Sequence, residues 1–268
     1  METPLTPLEF ARRARKLYAQ REAVVDGNVR LTYAQFFERC DRASAALHKL
    51  GVRQTDHVAT IAPNTHAHLE QFYAVPQLGA VIVPLNYRLI AEDFVYLLNH
   101  SGARVVCVHA DYLDMVESIR ARCPKVEHFI ALEGAKPGWL EYETLLAEAG
   151  AEIPRAEIAE TDLIAINYTI GTTSKPKGVM ITNANVMFVT QALEQLMPFS
   201  SGAGTRVVSY LPMAHIAERT VSHYSQLPPS HQGTLCPDPG TPRRHPTEEQ
   251  PPVPPRVPRL RGQVHGPP

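Results

Sequence analysis

Apolar residues follow two different spacings along most of this chain. Runs of consecutive apolar residues predict strands, whereas apolar residues three or four positions apart predict helices. The predicted strands lie at residues 57–62, 81–84, 104–108, 126–132, 163–166, 179–181 and 206–211. The predicted helices lie at residues 8–20, 32–50, 64–76, 91–100, 112–122, 142–149 and 183–196. Because the two kinds of element alternate with short connections, the pattern predicts an α/β fold whose mostly parallel sheet is flanked by helices.

Turn and capping residues set the boundaries near the start of the chain. Apolar residues on both sides of Asp26 and Gly27 predict a short hairpin. Thr32 and Gln35 have the spacing of a capping box, so we expect a helix to begin there. Gly51 is expected to end that helix.

Later boundaries carry similar signals. Asn64 or Thr65 is predicted to cap the next helix, and Pro76 to end or kink it. Asn183 or Asn185 is predicted to cap the last helix.

The alternation of elements stops near Leu227. Of the 24 prolines in the chain, 13 lie in residues 221–268, where apolar residues show no periodicity. Such a segment buries too little apolar surface to offset the entropy lost on ordering. We therefore divide the chain into a folded part, residues 1–226, and a Pro/Arg-rich tail, residues 227–268, predicted to be disordered.

A polar loop between two predicted strands is the best candidate for a binding site. Residues 168–178 read YTIGTTSKPKG. Glycine lets the backbone approach a ligand closely, backbone N–H groups and hydroxyls bind phosphate oxygens, and lysine adds positive charge. Phosphate ligands in α/β folds bind at the carboxyl ends of strands, where this loop is expected. We interpret it as a nucleotide phosphate-binding loop; a solvated hairpin loop is the alternative.

The loop resembles the phosphate-binding signature of the adenylate-forming superfamily of AMP-binding enzymes, roughly YTSGTTGxPKG. Acyl-CoA synthetases, firefly-type luciferases and peptide-synthetase adenylation domains belong to this superfamily. Three more blocks resemble its members in the same order: LTYAQFFERCDRASAALHKLGV, APNTHAHLEQFYAVPQLGAVIVPLNYRL and YLPMAHIAER. Together they cover about residues 6–227. The resemblance is to the N-terminal domain of a bacterial medium- or long-chain fatty acyl-CoA synthetase, of which residues 1–226 would be a part.

This resemblance implies a two-step reaction. A fatty acid carboxylate attacks the α-phosphate of ATP to give an acyl-adenylate and pyrophosphate, and coenzyme A then displaces AMP. Mg²⁺ is expected to accompany ATP. The resemblance assigns the β- and γ-phosphates of ATP to Thr169, Gly171, Thr172, Thr173, Ser174 and Lys177. It assigns His215 to the acyl pocket beside the adenylate, with a core histidine as the alternative, and we expect Lys175 to face solvent.

Two kinds of departure separate the chain from this family pattern. Ile170 and Ser174 stand where the signature has serine and glycine. The adenine and magnesium block Tyr-Gly-x-Thr-Glu, the ribose-binding Thr-Gly-Asp and the C-terminal domain with its catalytic lysine are not found. We therefore assign no catalytic residue and no metal ligand, and expect the chain alone to be inactive or impaired, with exposed apolar surface. A truncated product, frame-shifted near Leu227, is one hypothesis; a non-catalytic remnant that binds nucleotide weakly at most is the alternative function.

Composition limits the kinds of binding partner and the cellular compartment that we expect for this protein. The net charge of −1 gives no indication of nucleic-acid binding. The four cysteines are scattered, as expected for reduced thiols in a cytoplasmic protein. No apolar run is long enough to span a bilayer.

Two groups of polar residues near the N-terminus have competing interpretations. The basic residues of the first helix are compatible with peripheral contact with a membrane surface. We prefer the simpler interpretation that they form a solvated helical face. His66 and His68 have a metal-like spacing without a third ligand nearby in the sequence. We interpret both as residues on a helix surface.

Overall fold

The computed structural model describes residues 4–150, 152, 156–169, 175–196, 206–224 and 232–235, without the side chains of residues 194–196 and 232–235. Its strands are β1 (Glu22–Asp26), β2 (Val29–Thr32), β3 (His57–Ile61), β4 (Val81–Leu85), β5 (Val105–Val108), β6 (His128–Ala131), β7 (Leu140–Glu141), β8 (Leu163–Thr169), β9 (Lys177–Thr182), β10 (Arg206–Ser209) and β11 (Gln232–Leu235). Its helices are α1 (Pro7–Leu17), α2 (Tyr33–Lys49), α3 (His66–Gln77), α4 (Ala91–Ser101), α5 (Leu113–Ile119), α6 (Tyr142–Glu148), α7 (Asn183–Leu196) and the short α8 (Ile216–Glu218). Short 3₁₀ turns flank α5, and a π-helical turn, Arg219–His223, follows α8.

The larger sheet has seven strands in the order β7-β6-β5-β3-β4-β8-β9. All neighbouring strands in it are parallel except β8 and β9, which form an antiparallel hairpin at one edge. This confirms the predicted α/β fold with a mainly parallel sheet. Because the strands between β7 and β9 point the same way, the loops that follow them lie at one edge of the sheet.

A second sheet has the order β10-β11-β1-β2 and was not separated from the first by the sequence pattern. It contains the predicted hairpin of β1 and β2. Its strand β11 lies between β10 and β1 and is parallel to both. The four residues of β11 belong to the tail predicted to be disordered, so for them that prediction does not hold. The rest of the tail lies outside the described residues.

Both faces of the central strands of the larger sheet are buried. Along β3, Val58 packs with residues of α1, α2 and α3 in one hydrophobic cluster, whereas Ala59 packs with residues of α4 and α5 in another. Burial on both faces explains why the parallel strands read as unbroken apolar runs and not as alternating ones.

Capping residues behave as predicted at two of three helices. Thr32 and Gln35 form the reciprocal capping box of α2. Thr65 caps α3 by accepting a hydrogen bond from the His68 N–H. At α7 the prediction was wrong: Thr182 Oγ1 accepts from the Asn185 N–H at 3.2 Å, and Asn185 Oδ1 accepts from the Thr182 N–H at 3.1 Å. The capping residue is thus Thr182, one position before α7.

The prediction that His68 lies on a helix surface was also wrong. His68 is fully buried, with Nε2 3.0 Å from Thr60 Oγ1 and Nδ1 3.0 Å from the Pro63 carbonyl oxygen. Helix α3 packs in the core on several sides, so its polar residues are buried as well. His66, two residues earlier, instead contacts Asp26.

Helix α1 directs its apolar residues inward. Leu8, Ala11 and Ala14 are buried, whereas Arg12 and Arg13 are exposed. The solvated-face interpretation of this helix agrees with that arrangement. No helix among the residues the structure describes combines the length and hydrophobicity needed to cross a bilayer.

Candidate functional site

The candidate phosphate-binding loop connects β8 to β9. The last paired residues of this hairpin are Tyr168 with Gly178 and Thr169 with Lys177. Thr169 and Lys177 are exposed and stand opposite each other where the loop leaves the sheet. The other predicted phosphate-binding residues lie outside the described part of the chain: Gly171, Thr172, Thr173 and Ser174, together with the departure at Ile170.

The base of the loop is held by helix α4. Tyr168 Oη lies 2.8 Å from His100 Nδ1, and the Tyr96 hydroxyl donates a hydrogen bond to the Pro176 carbonyl oxygen at 3.3 Å. Lys175 is exposed, and its Nζ lies 5.9 Å from the centre of the Tyr96 ring. Burial, with a smaller contribution from Tyr96, raises the pKa of Tyr168 to about 12. The hydroxyl of Tyr168 is therefore neutral at physiological pH and can act as a hydrogen-bond donor or acceptor.

Gly178 is required by close packing across the hairpin. A Cβ atom at this position would lie 3.0 Å from Ile166 Cγ2 and 3.4 Å from Tyr168 Cζ. The absence of a side chain lets the Tyr168 ring lie over its cross-strand partner. This gives a steric reason for the last glycine of the YTIGTTSKPKG motif.

Asn64 holds the segment that leads to His215. Its Oδ1 accepts from the Met213 N–H at 2.9 Å, and its Nδ2 donates to the Leu211 carbonyl oxygen at 2.7 Å. The same Nδ2 also lies 3.1 Å from Ser209 Oγ. Asn64 is 2% exposed and follows β3, so the carboxyl edge of the larger sheet positions the end of β10 and the residues after it.

Asn167 and Arg219 hold the same segment from its other side. Asn167 Nδ2 donates to the Ala214 carbonyl oxygen at 2.5 Å, and Arg219 Nη2 donates to Asn167 Oδ1 at 2.5 Å. Because Ala214 precedes His215, these bonds set where the His215 backbone lies. His215 itself is exposed, which argues against the alternative of a core histidine.

The structure brings His215 next to the base of the phosphate-binding loop. A small cavity at the carboxyl edge of the sheet is lined by Pro84, Leu85, Asn86, Leu89, Leu97, Tyr168, Ala214 and His215. Most of its lining is apolar, with polar groups from Tyr168, Asn86 and His215. Tyr168 and His215 are 47 positions apart in the sequence and line one cavity in the fold.

The interior behind this site is unusually polar. Arg219 is 1% exposed, its guanidinium lies 4.8 Å from the centre of the Phe72 ring, and burial lowers its pKa. Its Nε and Nη1 find no hydrogen-bond acceptor among the described residues. Burial, followed by the positive charge of Arg219, lowers the pKa of His223 to about 3, so that histidine is neutral.

The described residues fit part of the expected ligand set. The Thr169 hydroxyl and the exposed ammonium group of Lys177 border the loop and suit the phosphates of a nucleotide, whereas Lys175 Nζ lies near the Tyr96 ring. A magnesium ion requires oxygen ligands, usually with at least one carboxylate. The residues that line the cavity include no carboxylate, so the described part of the site does not supply a magnesium ligand there.

Three residues that position the site were missed by the sequence analysis. Asn64 was considered only as a helix cap, and Asn167 and Arg219 were not singled out. The sequence could have indicated the two asparagines as candidate site residues, because each is a polar residue at the end of an apolar strand run. Nothing in the sequence indicates that both contact the segment before His215.

Comparisons with known proteins agree with this arrangement. The family model for AMP-binding enzymes matches residues 10–248, past the point near Leu227 where the sequence pattern stops. A long-chain-fatty-acid–CoA ligase from Thermus thermophilus is 33% identical over 221 residues, covering 81% of this chain and 40% of the relative. A peroxisomal trans-cinnamate:CoA ligase from Petunia hybrida is 32% identical over 236 residues, covering 80% of this chain and 41% of the relative.

Solved structures give the same result. The inhibitor-bound N-terminal domain of FACL13 from Mycobacterium tuberculosis superimposes with a TM-score of 0.76 at 28% identity, covering 87% of this chain and 57% of that one. The chain belongs to the AMP-binding enzyme family. It spans about two fifths of the length of the curated relatives it matches.

Proposed function

We propose that this chain carries the phosphate-binding and acyl-binding part of a fatty acid–CoA ligase. In this function ATP activates a fatty acid to an acyl-adenylate, and coenzyme A then takes the acyl group. The proposal rests on the adjacency of the β8–β9 hairpin and His215 at the carboxyl edge of one sheet. Membership in the AMP-binding family, with acid–CoA ligases among the relatives, supports it.

Residues 169–177 would neutralise the negative charge that accumulates on pyrophosphate during the first step. Thr169, Gly171, Thr172, Thr173 and Ser174 would supply hydroxyls and backbone N–H groups, and Lys177 a positive charge. Charge stabilisation by preorganised donors is the main contribution that such a loop makes to catalysis. Mg²⁺ would supply further charge neutralisation when bound with ATP.

His215 and the apolar lining of the cavity would contact the acid. Leu85, Leu89 and Leu97 provide apolar surface beside the imidazole. An apolar acyl group is therefore a better ligand for this wall than a polar one. The relatives include ligases for long-chain fatty acids and for trans-cinnamate, so we rest the preference for fatty acids on the AHIAER block and on this wall.

The compartment is proposed to be the cytoplasm. Cys40, Cys107 and Cys123 are buried free thiols, as expected for a protein in a reducing environment. Fatty acid, ATP and coenzyme A are the proposed small-molecule partners, and no nucleic acid is proposed.

The test is ATP–pyrophosphate exchange by the purified chain, with and without fatty acids of different lengths. We expect ATP binding but little or no exchange from this chain, because the adenine, ribose and magnesium blocks are not among its motifs. Joining the chain to the remaining part of a relative's domain should restore fatty acid-dependent exchange. If the hybrid binds ATP but shows no exchange with any fatty acid, the acyl assignment is wrong.

The alternative is a non-catalytic protein that binds nucleotide weakly at most. Its distinguishing measurement is ATP affinity by calorimetry for the wild type, Lys177→Ala and the matched control Lys175→Ala. We expect Lys177→Ala to weaken binding at least about 10-fold, the effect of one charge-assisted phosphate contact. Lys175→Ala should change affinity by less than about 2-fold. Equal effects of the two variants would indicate nonspecific attraction to a basic loop, and absence of ATP binding would contradict the ligase function and favour the non-catalytic alternative.

A further inference from the structure

Four potential metal ligands lie near one another where β1, β5 and β6 end and α3 begins. Asp26 ends β1, and His66 is the first residue of α3. His109 follows β5 and Glu133 lies just beyond β6. The strands β5 and β6 are parallel neighbours with Val108 opposite Ala131, so the residues that follow them emerge side by side.

Three of these side chains converge closely. One ligand atom each from Asp26, His66 and Glu133 lies within 4.8 Å of those of the other two. His66 Nδ1 is 2.8 Å from Asp26 Oδ2, which also accepts the His66 backbone N–H at 2.9 Å. His109 Nε2 lies 3.3 Å from Glu133 Oε2. All four side chains are therefore connected in one cluster built from separate elements.

The cluster is largely enclosed but not fully satisfied. The side chains of Asp26, His66 and His109 are 10%, 14% and 12% exposed, and that of Glu133 is 38% exposed. Glu133 Oε1 is itself enclosed and has no hydrogen bond of ordinary geometry among the described residues, although the Thr65 hydroxyl lies near the carboxylate. An enclosed carboxylate oxygen without such a hydrogen bond is costly, and a cation at the cluster would satisfy it.

The donor set indicates the kind of cation. Imidazole nitrogen with carboxylate oxygen suits zinc and its first-row neighbours, whereas calcium and magnesium prefer oxygen ligands alone. Cysteine is not part of the cluster, so a thiolate-selective ion is not favoured. The enclosed position, with Glu133 reaching solvent, leaves a path by which an ion can enter.

We propose that Asp26, His66 and Glu133 bind a divalent first-row transition-metal ion, with His109 within reach as a fourth ligand, and we choose Zn²⁺ as the ion to test. Binding replaces the proton between His66 Nδ1 and Asp26 Oδ2: from an imidazolium that proton passes to solvent, and from the neutral ring it is exchanged for one at Nε2, so that Nδ1 coordinates as neutral imidazole. The ion joins β1 of the smaller sheet to α3 and to the end of β6 in the larger one. Its role is structural, because it connects elements of both sheets, and it does not depend on the proposed ligase function.

The experiment is calorimetric titration of the full, metal-free chain with Zn²⁺ at neutral pH. The variants are His66→Gln and Glu133→Gln, and the matched control is His128→Gln, which removes a histidine of β6 outside the cluster. We expect one ion per chain with a Kd below about 100 µM in the wild type and the control. Each cluster variant should bind at least about 10-fold more weakly.

Two further measurements keep the result decisive. Circular dichroism without metal checks that each variant is folded, and zinc X-ray absorption on the wild type reports the ligand atoms independently of any variant. A shell of nitrogen and oxygen with at least one imidazole is expected. At free Zn²⁺ about 100-fold above Kd, the melting temperature should rise by about 5–10 °C.

The alternative is that the cluster is an ordinary network of hydrogen bonds and ion pairs. Wild-type binding weaker than about 100 µM would establish that alternative. Sulfur in the zinc ligand shell, or affinity unchanged in both folded cluster variants, would place any bound ion elsewhere and overturn the proposal.

Discussion

Arg219 donates a hydrogen bond from Nη2 to Asn167 Oδ1 across 2.5 Å, and both side chains are buried. Asn167 in turn donates a hydrogen bond from Nδ2 to the Ala214 carbonyl oxygen. The result is a buried chain of polar groups from the π-helical turn, through the end of β8, to the residue before His215. Since two of the guanidinium nitrogens, Nε and Nη1, have no acceptor in the described structure, the energy of the buried charge depends strongly on Asn167.

Replacing Asn167 should therefore destabilise the protein, because the buried Arg219 guanidinium loses its hydrogen-bond acceptor. We expect Asn167→Leu to lower the free energy of unfolding by about 3 kcal/mol, because it leaves a buried cation without its acceptor. Adding Arg219→Met should recover at least about half of that loss, since the charge is then absent. Urea unfolding of the two single variants and the double variant measures the coupling. Strictly additive effects would show that the two residues do not act as a pair.

Buried Asn64 is expected to contribute more to the free energy of unfolding than an asparagine with a single turn contact does. Asn64→Ala removes the partners of the Met213 N–H and the Leu211 carbonyl oxygen, so stability should fall by about 2–4 kcal/mol. Asn86→Ala, which removes only a turn contact to the Arg88 N–H, should change stability by less than about 1 kcal/mol. Denaturant unfolding compares the two, and similar small losses for both would contradict the positioning role of Asn64.

Buried His68 should make the protein acid-sensitive. Burial lowers the pKa of His68 to about 4, below its ordinary value of 6.5. The unfolded chain then binds more protons than the native one between these values, so stability falls as the pH falls through 6.5 toward 4. For this single residue the loss from pH 7 to pH 5 is about 2 kcal/mol.

The pH experiment compares wild type with His68→Gln. The slope of unfolding free energy against pH between 5 and 7 should be shallower in the variant. The pKa of His66 is raised, in spite of burial, by its hydrogen bond to Asp26, and this acts in the opposite direction. His66→Gln should therefore steepen the slope. Identical slopes in wild type and His68→Gln would mean that His68 is not buried in solution.

Even the smallest substitution of Gly178 should destabilise the chain. A Cβ atom 3.0 Å from Ile166 Cγ2 forces a shift across the hairpin that carries the phosphate-binding loop. We expect Gly178→Ala to destabilise the chain by about 1–3 kcal/mol in thermal or urea unfolding. Gly150→Ala, where the added atom meets only the Glu152 N at 4.0 Å, should change stability by less than about 0.5 kcal/mol.

Exposed apolar residues should limit solubility. Met180 of β9 and Phe188 of α7 are 66% and 72% exposed, on neighbouring elements at one edge of the sheet. Such side chains favour association between molecules. The double variant Met180→Thr, Phe188→Ser should raise the concentration of monomer that stays in solution, measured by light scattering after centrifugation. The matched control Leu17→Ser, an exposed residue of α1, should have little effect.

Several parts of the fold followed from local patterns. Unbroken apolar runs predicted β3, β4 and β5 because these strands are buried on both faces. Thr32 and Gln35 predicted the start of α2, since a capping box involves only residues close in the chain. The cap of α7 was misassigned because threonine and two asparagines adjoin there and each can cap a helix.

The sequence by itself determined the α/β class and the family and predicted the candidate phosphate-binding loop, because periodicity, capping and motif order are properties of neighbouring residues. Only the tertiary structure decided that Asn64 and Asn167 hold the segment before His215, that His68 is buried, and that Asp26, His66 and Glu133 meet. The contacts of the two asparagines and of the Asp26 cluster join residues dozens of positions apart, because the fold brings the ends of separate strands together. His68 is buried because α3 packs in the core.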